Sequence, residues 1–182
     1  NHDQSQENHI GNTSPSYIKT LSMVFKNLKC IDFKKESFED CDLYGIPYLT
    51  HDMGLIDYIK KLELNENKVN ILIIHTTLPG AKDTDGRTVN SHFTKDEFEN
   101  ATMGFDIVLS GHIHAPNKYH IGKTTVIQVG APQQQRLTDR DCKMGYWEIY
   151  SDYSTKFKPF KNYPKFIELE PDKKPYNDKD FF

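Results

Sequence analysis

The stretch Val69-Asn70-Ile71-Leu72-Ile73-Ile74-His75-Thr76 is almost unbroken apolar, mostly β-branched sequence until it meets a histidine. A strand with one wet face alternates apolar and polar residues, whereas a strand that does not alternate is covered on both faces, as in layered α/β sheets. Phe105-Asp106-Ile107-Val108-Leu109-Ser110-Gly111 reads the same way and runs into His112-Ile113-His114. Two strands of the buried kind thus each deliver histidine at the carboxyl end, which is where open α/β sheets place their ligands.

Working outward, Tyr17, Ile18, Leu21, Val24, Phe25 and Leu28 recur at three- and four-residue steps and predict an amphipathic helix over 15–28 that follows Ser14-Pro15. Asp52 is placed to cap a second helix over 53–63, with Leu55, Ile56, Ile59 and Leu62 as its buried face. Thr94 is placed to cap a short third helix that holds Phe98. Alternating segments at 28–33, 42–49, 118–121, 124–129, 145–151 and 156–169 predict strands. The final Pro171–Phe182 stretch, with two prolines and many charges, reads as a linker or frayed end. This order of helices and strands predicts a layered α/β sandwich.

A chain of 182 residues makes one domain of ordinary size. No apolar run approaches the roughly 20 residues of a spanning helix, which argues against a membrane anchor. The net charge of −3 supplies no general attraction to nucleic acid. Local basic groups exist at Arg136, Arg140 and Lys143 and at Lys156, Lys158, Lys161 and Lys165, but Asp139, Asp141 and Glu168 dilute them, so a solvated surface explains them. Tyr146 and Trp147 read as strand-packing aromatics. Cys30, Cys41 and Cys142 are odd in number and lack CxxC spacing, which fits reduced thiols and a cytoplasmic setting.

Along an extended segment, His112 and His114 would fall on one side, about 6–7 Å apart, a spacing suited to adjacent cations. Neutral imidazole is a good ligand for zinc, manganese or iron. Taken alone, His75 reads more readily as a satisfied core or surface histidine than as a ligand. His9, His51, His92 and His120 read as loop or surface residues.

Three separated segments, Asn1-His2-Asp3, His75 and Gly111-His112-Ile113-His114, resemble in order and spacing the later motifs of calcineurin-like metallophosphoesterases. These are the tail of Gly-Asn-His-(Asp/Glu), the lone later histidine, and Gly-His-x-His. The segments His75 to Ala81, Asp85-Gly86-Arg87, Val129-Gly130-Ala131-Pro132 and Gly145-Tyr146-Trp147 further resemble SbcD-type DNA repair exonucleases, particularly phage-encoded ones. The family's opening Asp-x-His and Gly-Asp motifs have no counterpart. The resemblance therefore implies an αββα sandwich incomplete at its amino-terminal end, with residues 1–152 as the carboxyl-terminal portion of a catalytic domain and 153–182 as a terminal strand and tail.

For chemistry, the resemblance implies two divalent cations, with manganese the expected metal, that activate a water for attack on a phosphodiester. Asn1, His75 and His112 would bind one cation and His114 the other. His2 would protonate the leaving group and Asp3 would orient its ring. DNA is the implied substrate, with an SMC-like ATPase subunit and a second copy of the chain as implied partners. With upstream ligands missing, the chain alone is expected to bind at most one metal, weakly, and to be inactive. A phosphatase acting on phosphomonoesters and a non-catalytic scaffold that keeps the fold are the competing readings.

Overall fold

The computed structural model describes residues 17–49 and 54–166. In chain order the elements are α1 (Tyr17–Val24), β1 (Lys34–Ser37), β2 (Cys41–Gly45), α2 (Leu55–Lys60), β3 (Val69–His75), α3 (Lys95–Ala101), β4 (Ile107–Gly111), β5 (Asn117–Ile121), β6 (Thr124–Gln128), β7 (Gly145–Ile149) and β8 (Thr155–Pro159). The first six strands form one sheet in the order β1-β2-β3-β4-β6-β5, and β7 and β8 form a separate antiparallel ribbon. Strands β2, β3, β4 and β6 run parallel to one another, and β1 and β5 close the two edges antiparallel.

This topology explains where the helices go. Parallel strands must be joined by crossovers, which are right-handed, so successive crossovers that step in one direction put their helices on one face. The helices α2 and α3 both lie there, with Leu55, Ile59, Phe98 and Ala101 packed on Tyr44, Leu72, Ile74, Val108 and Val126. Leu72, Val108, Val126 and Phe98 are each 0% exposed, so this layer is dry. The opposite face, carrying Val69, Ile71, Ile107 and Ile127, is covered by Trp147 and Ile149 of the ribbon. The α/β sandwich expected from the sequence is thus present, as three layers among the described residues: helices, six-stranded sheet, ribbon.

Local physics differs from expectation in several places. The chain over 28–33 is not a strand: Phe33 sits at φ +53 in a turn in which Lys34 N–H donates to the Ile31 carbonyl at 3.0 Å, and the strand starts only at Lys34. The first helix is shorter than 15–28, and Val24 and Phe25 of its expected buried face are exposed. Gly54, not Asp52, precedes α2, and Asp52 lies outside the described residues. The last strand ends at Pro159 rather than near 169. The α3 start is as expected and stronger: the Thr94 hydroxyl accepts from Glu97 N–H while the Glu97 carboxylate accepts from Thr94 N–H, a reciprocal cap.

Asn70, the polar exception inside β3, is buried at the amino end of the sheet. Its amide donates to the carbonyls of Asn65 and Lys68 and accepts from Tyr44 hydroxyl and Asn65 N–H, while its backbone N–H donates to the Asp106 carboxylate. Beside it in register lies Asp42, 1% exposed, with Lys35 at 3.4 Å and Lys68 at 3.7 Å. Burial pushes the Asp42 carboxyl up, but the Ser37 hydroxyl and the Lys35 ammonium outweigh it and hold it below the ordinary value.

Candidate functional site

The candidate site lies at the carboxyl ends of β3 and β4, opposite the Asn70 network. In register, His75 pairs with Gly111. Strand alternation sends His75 to the same face as Val69, Ile71 and Ile73, the ribbon side. There its ring lies across the neighbouring strand, because position 111 has no side chain: a Cβ at 111 would stand 2.9 Å from His75 Nδ1. The imidazole is flanked edge-on by Tyr48, with ring centroids 6.0 Å apart, and by His112, at 5.4 Å and 79°.

His112 leaves the strand at φ +93. The expectation of an extended segment through His112 and His114 is therefore wrong: the chain turns at 112, where the ring lies beside that of His75. His114 has a partner of its own. Its Nδ1 lies 2.8 Å from Oδ2 of Asp139, a carboxylate 0% exposed in a short 3-10 turn, Leu137–Asp139. Burial raises Asp139, but the backbone N–H of Gln135, the His114 contact and Arg136 N–H together hold it below the ordinary carboxylate value. Sequence reading missed this residue, treating Asp139 only as a charge diluting Arg136 and Arg140.

Gln128, buried at the end of β6, ties the loops of the site together. Its amide nitrogen donates to the carbonyls of Lys82 and Ala115 and its oxygen accepts from Lys82 N–H. The loops that follow β3 and β4 are thereby fixed to each other and to the sheet. Two of the nearby cations are paired: Arg136 lies 3.7 Å from Asp83 and 3.5 Å from Asp139, and Arg140 3.5 Å from Asp141. Trp147 packs inward as expected, with its ring 5.3 Å from that of Phe157, whereas Tyr146 is exposed beside Phe160. Cys142 is half-buried and, like Cys30 and Cys41, unbridged.

Of the predicted site residues, His75 and His112 come together, His114 is anchored to Asp139, and Asn1, His2 and Asp3 lie outside the described residues, as do His9 and His51. His92 and His120 are exposed, in line with the surface reading. Among the described residues, no three His, Cys, Asp or Glu side chains gather as a metal site. The donor chemistry nevertheless suits a divalent ion in part: two facing imidazoles over a glycine, and a third ring whose orientation a carboxylate fixes. Among the described residues no helix is long and apolar enough to cross a membrane.

No protein-family model matches the chain. One crystal structure aligns over 78% of this chain and 58% of its own length, with a TM-score of 0.51 and 11% identity, a likeness of fold. A candidate 5'-nucleotidase of Staphylococcus aureus, solved in complex with α-ketoglutarate, aligns over 81% of this chain and 31% of its own, with a TM-score of 0.33 and 14% identity. The chain therefore spans a little over half of the first of these proteins and about a third of the second.

Proposed function

We propose that this chain carries the histidine side of a metal-dependent phosphoesterase site. The supporting observation is the meeting of His75 and His112 at adjacent parallel strand ends, with ring centroids 5.4 Å apart over Gly111. In an α/β fold that is the position where ligands are bound. A divalent ion bound there would supply Lewis acidity toward a phosphoryl oxygen and lower the pKa of a bound water.

The chain's own residues do the holding. His75 offers a ring nitrogen from the last pair of the β3–β4 ladder and His112 one from the residue just beyond it, and Gln128 keeps the two following loops in place. His114 offers its outer ring nitrogen from a ring steadied by Asp139. In this reading Asn1 adds an oxygen ligand, and His2, oriented by Asp3, protonates the leaving group. DNA as substrate, manganese as the metal, and an SMC-like ATPase subunit and a second copy of the chain as partners follow from the motif resemblance and belong to the same proposal.

The test is calorimetric titration of Mn2+ into the chain and into its His75→Ala and His112→Ala variants, followed by hydrolysis of linear duplex DNA and of nitrophenyl phosphate. Weak binding at one site, lost in both variants, with negligible turnover by this chain alone, is the expected result. Binding that survives both substitutions overturns the proposal. Turnover of the monoester but not of DNA would move the substrate from diester to monoester.

A further inference from the structure

Asp139 and His114 are separated by 25 residues, yet one carboxylate oxygen of the buried acid is committed to the ring. Oδ2 accepts from the backbone N–H groups of Gln135 at 3.0 Å and Arg136 at 3.2 Å and lies 2.8 Å from His114 Nδ1. The other oxygen, Oδ1, faces the Arg136 guanidinium, with Nε at 3.5 Å. A guanidinium only donates, so a proton on Oδ1 would be directed at a donor, and the two backbone N–H groups leave Oδ2 an acceptor. The proton in the short contact therefore belongs to Nδ1.

The surrounding loop is built to make that contact. Gly130, at φ +82, turns the chain so tightly that its missing Cβ would lie 3.1 Å from the His114 carbonyl and 3.0 Å from Pro116 N. Immediately after it, Ala131 N–H donates to the same His114 carbonyl at 2.9 Å, which fixes the backbone of 114 against the loop. The turn closes on itself through Asp139 N–H to the Arg136 carbonyl and Cys142 N–H to the Asp139 carbonyl, both at 2.9 Å. Gln134 adds a side-chain bond to the Arg140 carbonyl at 2.8 Å.

We infer that Asp139 is a positioning residue that fixes a proton on Nδ1 of His114, so that Nε2 is the nitrogen offered to a divalent cation. The role as a ligand rests on the phosphoesterase reading above; the tautomer does not. In water a free neutral imidazole favours the opposite form, with the proton on Nε2. The carboxylate reverses that preference and fixes the ring plane, as carboxylate partners of metal-binding histidines do.

The experiment uses the full chain, 15N-labelled at histidine and stripped of metal with EDTA, in long-range 1H–15N correlation spectra, with the His114 signals identified by their loss in His114→Gln. The wild-type ring should show protonated Nδ1 and bare Nε2, Asp139→Ala should return it toward the solution tautomer, and Asp139→Glu should restore the native one. A turn that Asp139 merely staples would loosen in Asp139→Ala without any change of tautomer. A wild-type ring protonated on Nε2, or an unchanged tautomer in Asp139→Ala, overturns the inference, and should that variant fail to fold, the wild-type spectrum still decides it. Mn2+ titration then separates the two claims. The Mn2+ binding that involves His114, read as the part lost in His114→Gln, should fall about 10- to 100-fold in Asp139→Ala. An unchanged value overturns the positioning role, whereas no Mn2+ binding lost in His114→Gln, with the tautomer as expected, overturns the role of His114 as a ligand in the phosphoesterase reading instead.

Discussion

The two ends of β3 each carry one polar side chain in a run that is otherwise apolar, and they are used in opposite ways. At the amino end, Asn70 has its amide and its backbone N–H engaged by Tyr44, Asn65, Lys68 and Asp106, all of them groups of the fold itself. At the carboxyl end, His75 is packed between the rings of Tyr48 and His112 over a glycine. A polar residue inside a buried strand is thus a staple where its neighbours are backbone and amide groups, and a candidate site where its neighbours are further ligand-type side chains. Stability should be concentrated at the first end and chemistry at the second.

The sharpest way to break this contrast is to remove the two side chains in turn. Asn70→Ala leaves the buried Tyr44 hydroxyl with the Glu63 carbonyl alone and strips the side-chain partner from Asn65 N–H and from the Asn65 and Lys68 carbonyls, and should cost about 2 kcal/mol in urea unfolding, since each orphaned buried group costs about 1–3 kcal/mol. His75→Ala should cost only about 1 kcal/mol, the typical effect of a point substitution, while abolishing Mn2+ binding. Equal destabilisation by both would dissolve the distinction.

Acid probes the amino end separately. Asp42 is held below the ordinary carboxylate value, so the stability it contributes is complete above that value and is lost as the pH falls through its lower, native-state pKa. Thermal melts should accordingly show a midpoint that drops below about pH 4, the ordinary aspartate range. Asp42→Asn should flatten that drop; a variant that tracks the wild-type curve would assign acid sensitivity to other groups.

Two smaller effects belong to the carboxyl end. Gly111→Ala puts a methyl 2.9 Å from His75 Nδ1, and should displace the ring and weaken Mn2+ binding by about tenfold, as loss of a ligand's support does. The melting temperature should move little, and unchanged binding would remove the glycine from the site. Smallest of all, burial, together with Asp139, Asp83 and Asp141, pushes the Cys142 thiol up. Because the thiolate is the reactive form, Cys142 should alkylate with iodoacetamide more slowly at neutral pH than a free cysteine, measured by mass spectrometry.

Much of this was legible in the sequence, and the parts that were not share a cause. Buried runs such as Val69 to Ile74 betray their strands because both faces are covered, and Thr94 betrays a helix start because capping is chemistry local to a few residues, although its reciprocal partner Glu97 emerged only in the structure. Asp139 was hidden because its partner is 25 residues away and its immediate neighbours are charged, so it looked like solvated surface. The turn at His112 was hidden because no glycine or asparagine marks the left-handed position. At Leu28 to Phe33 the alternation was real, but a turn at Phe33 sets where pairing begins.

That turn at 112 carries a consequence for how the molecule tolerates change. Its φ of +93 is one that glycine adopts freely and that costs a side-chain-bearing residue about 1–3 kcal/mol. The imidazole there is retained against the grain of its own backbone. A version of this protein relieved of any task at that corner would be expected to drift toward glycine, gaining resilience as it surrendered its chemistry.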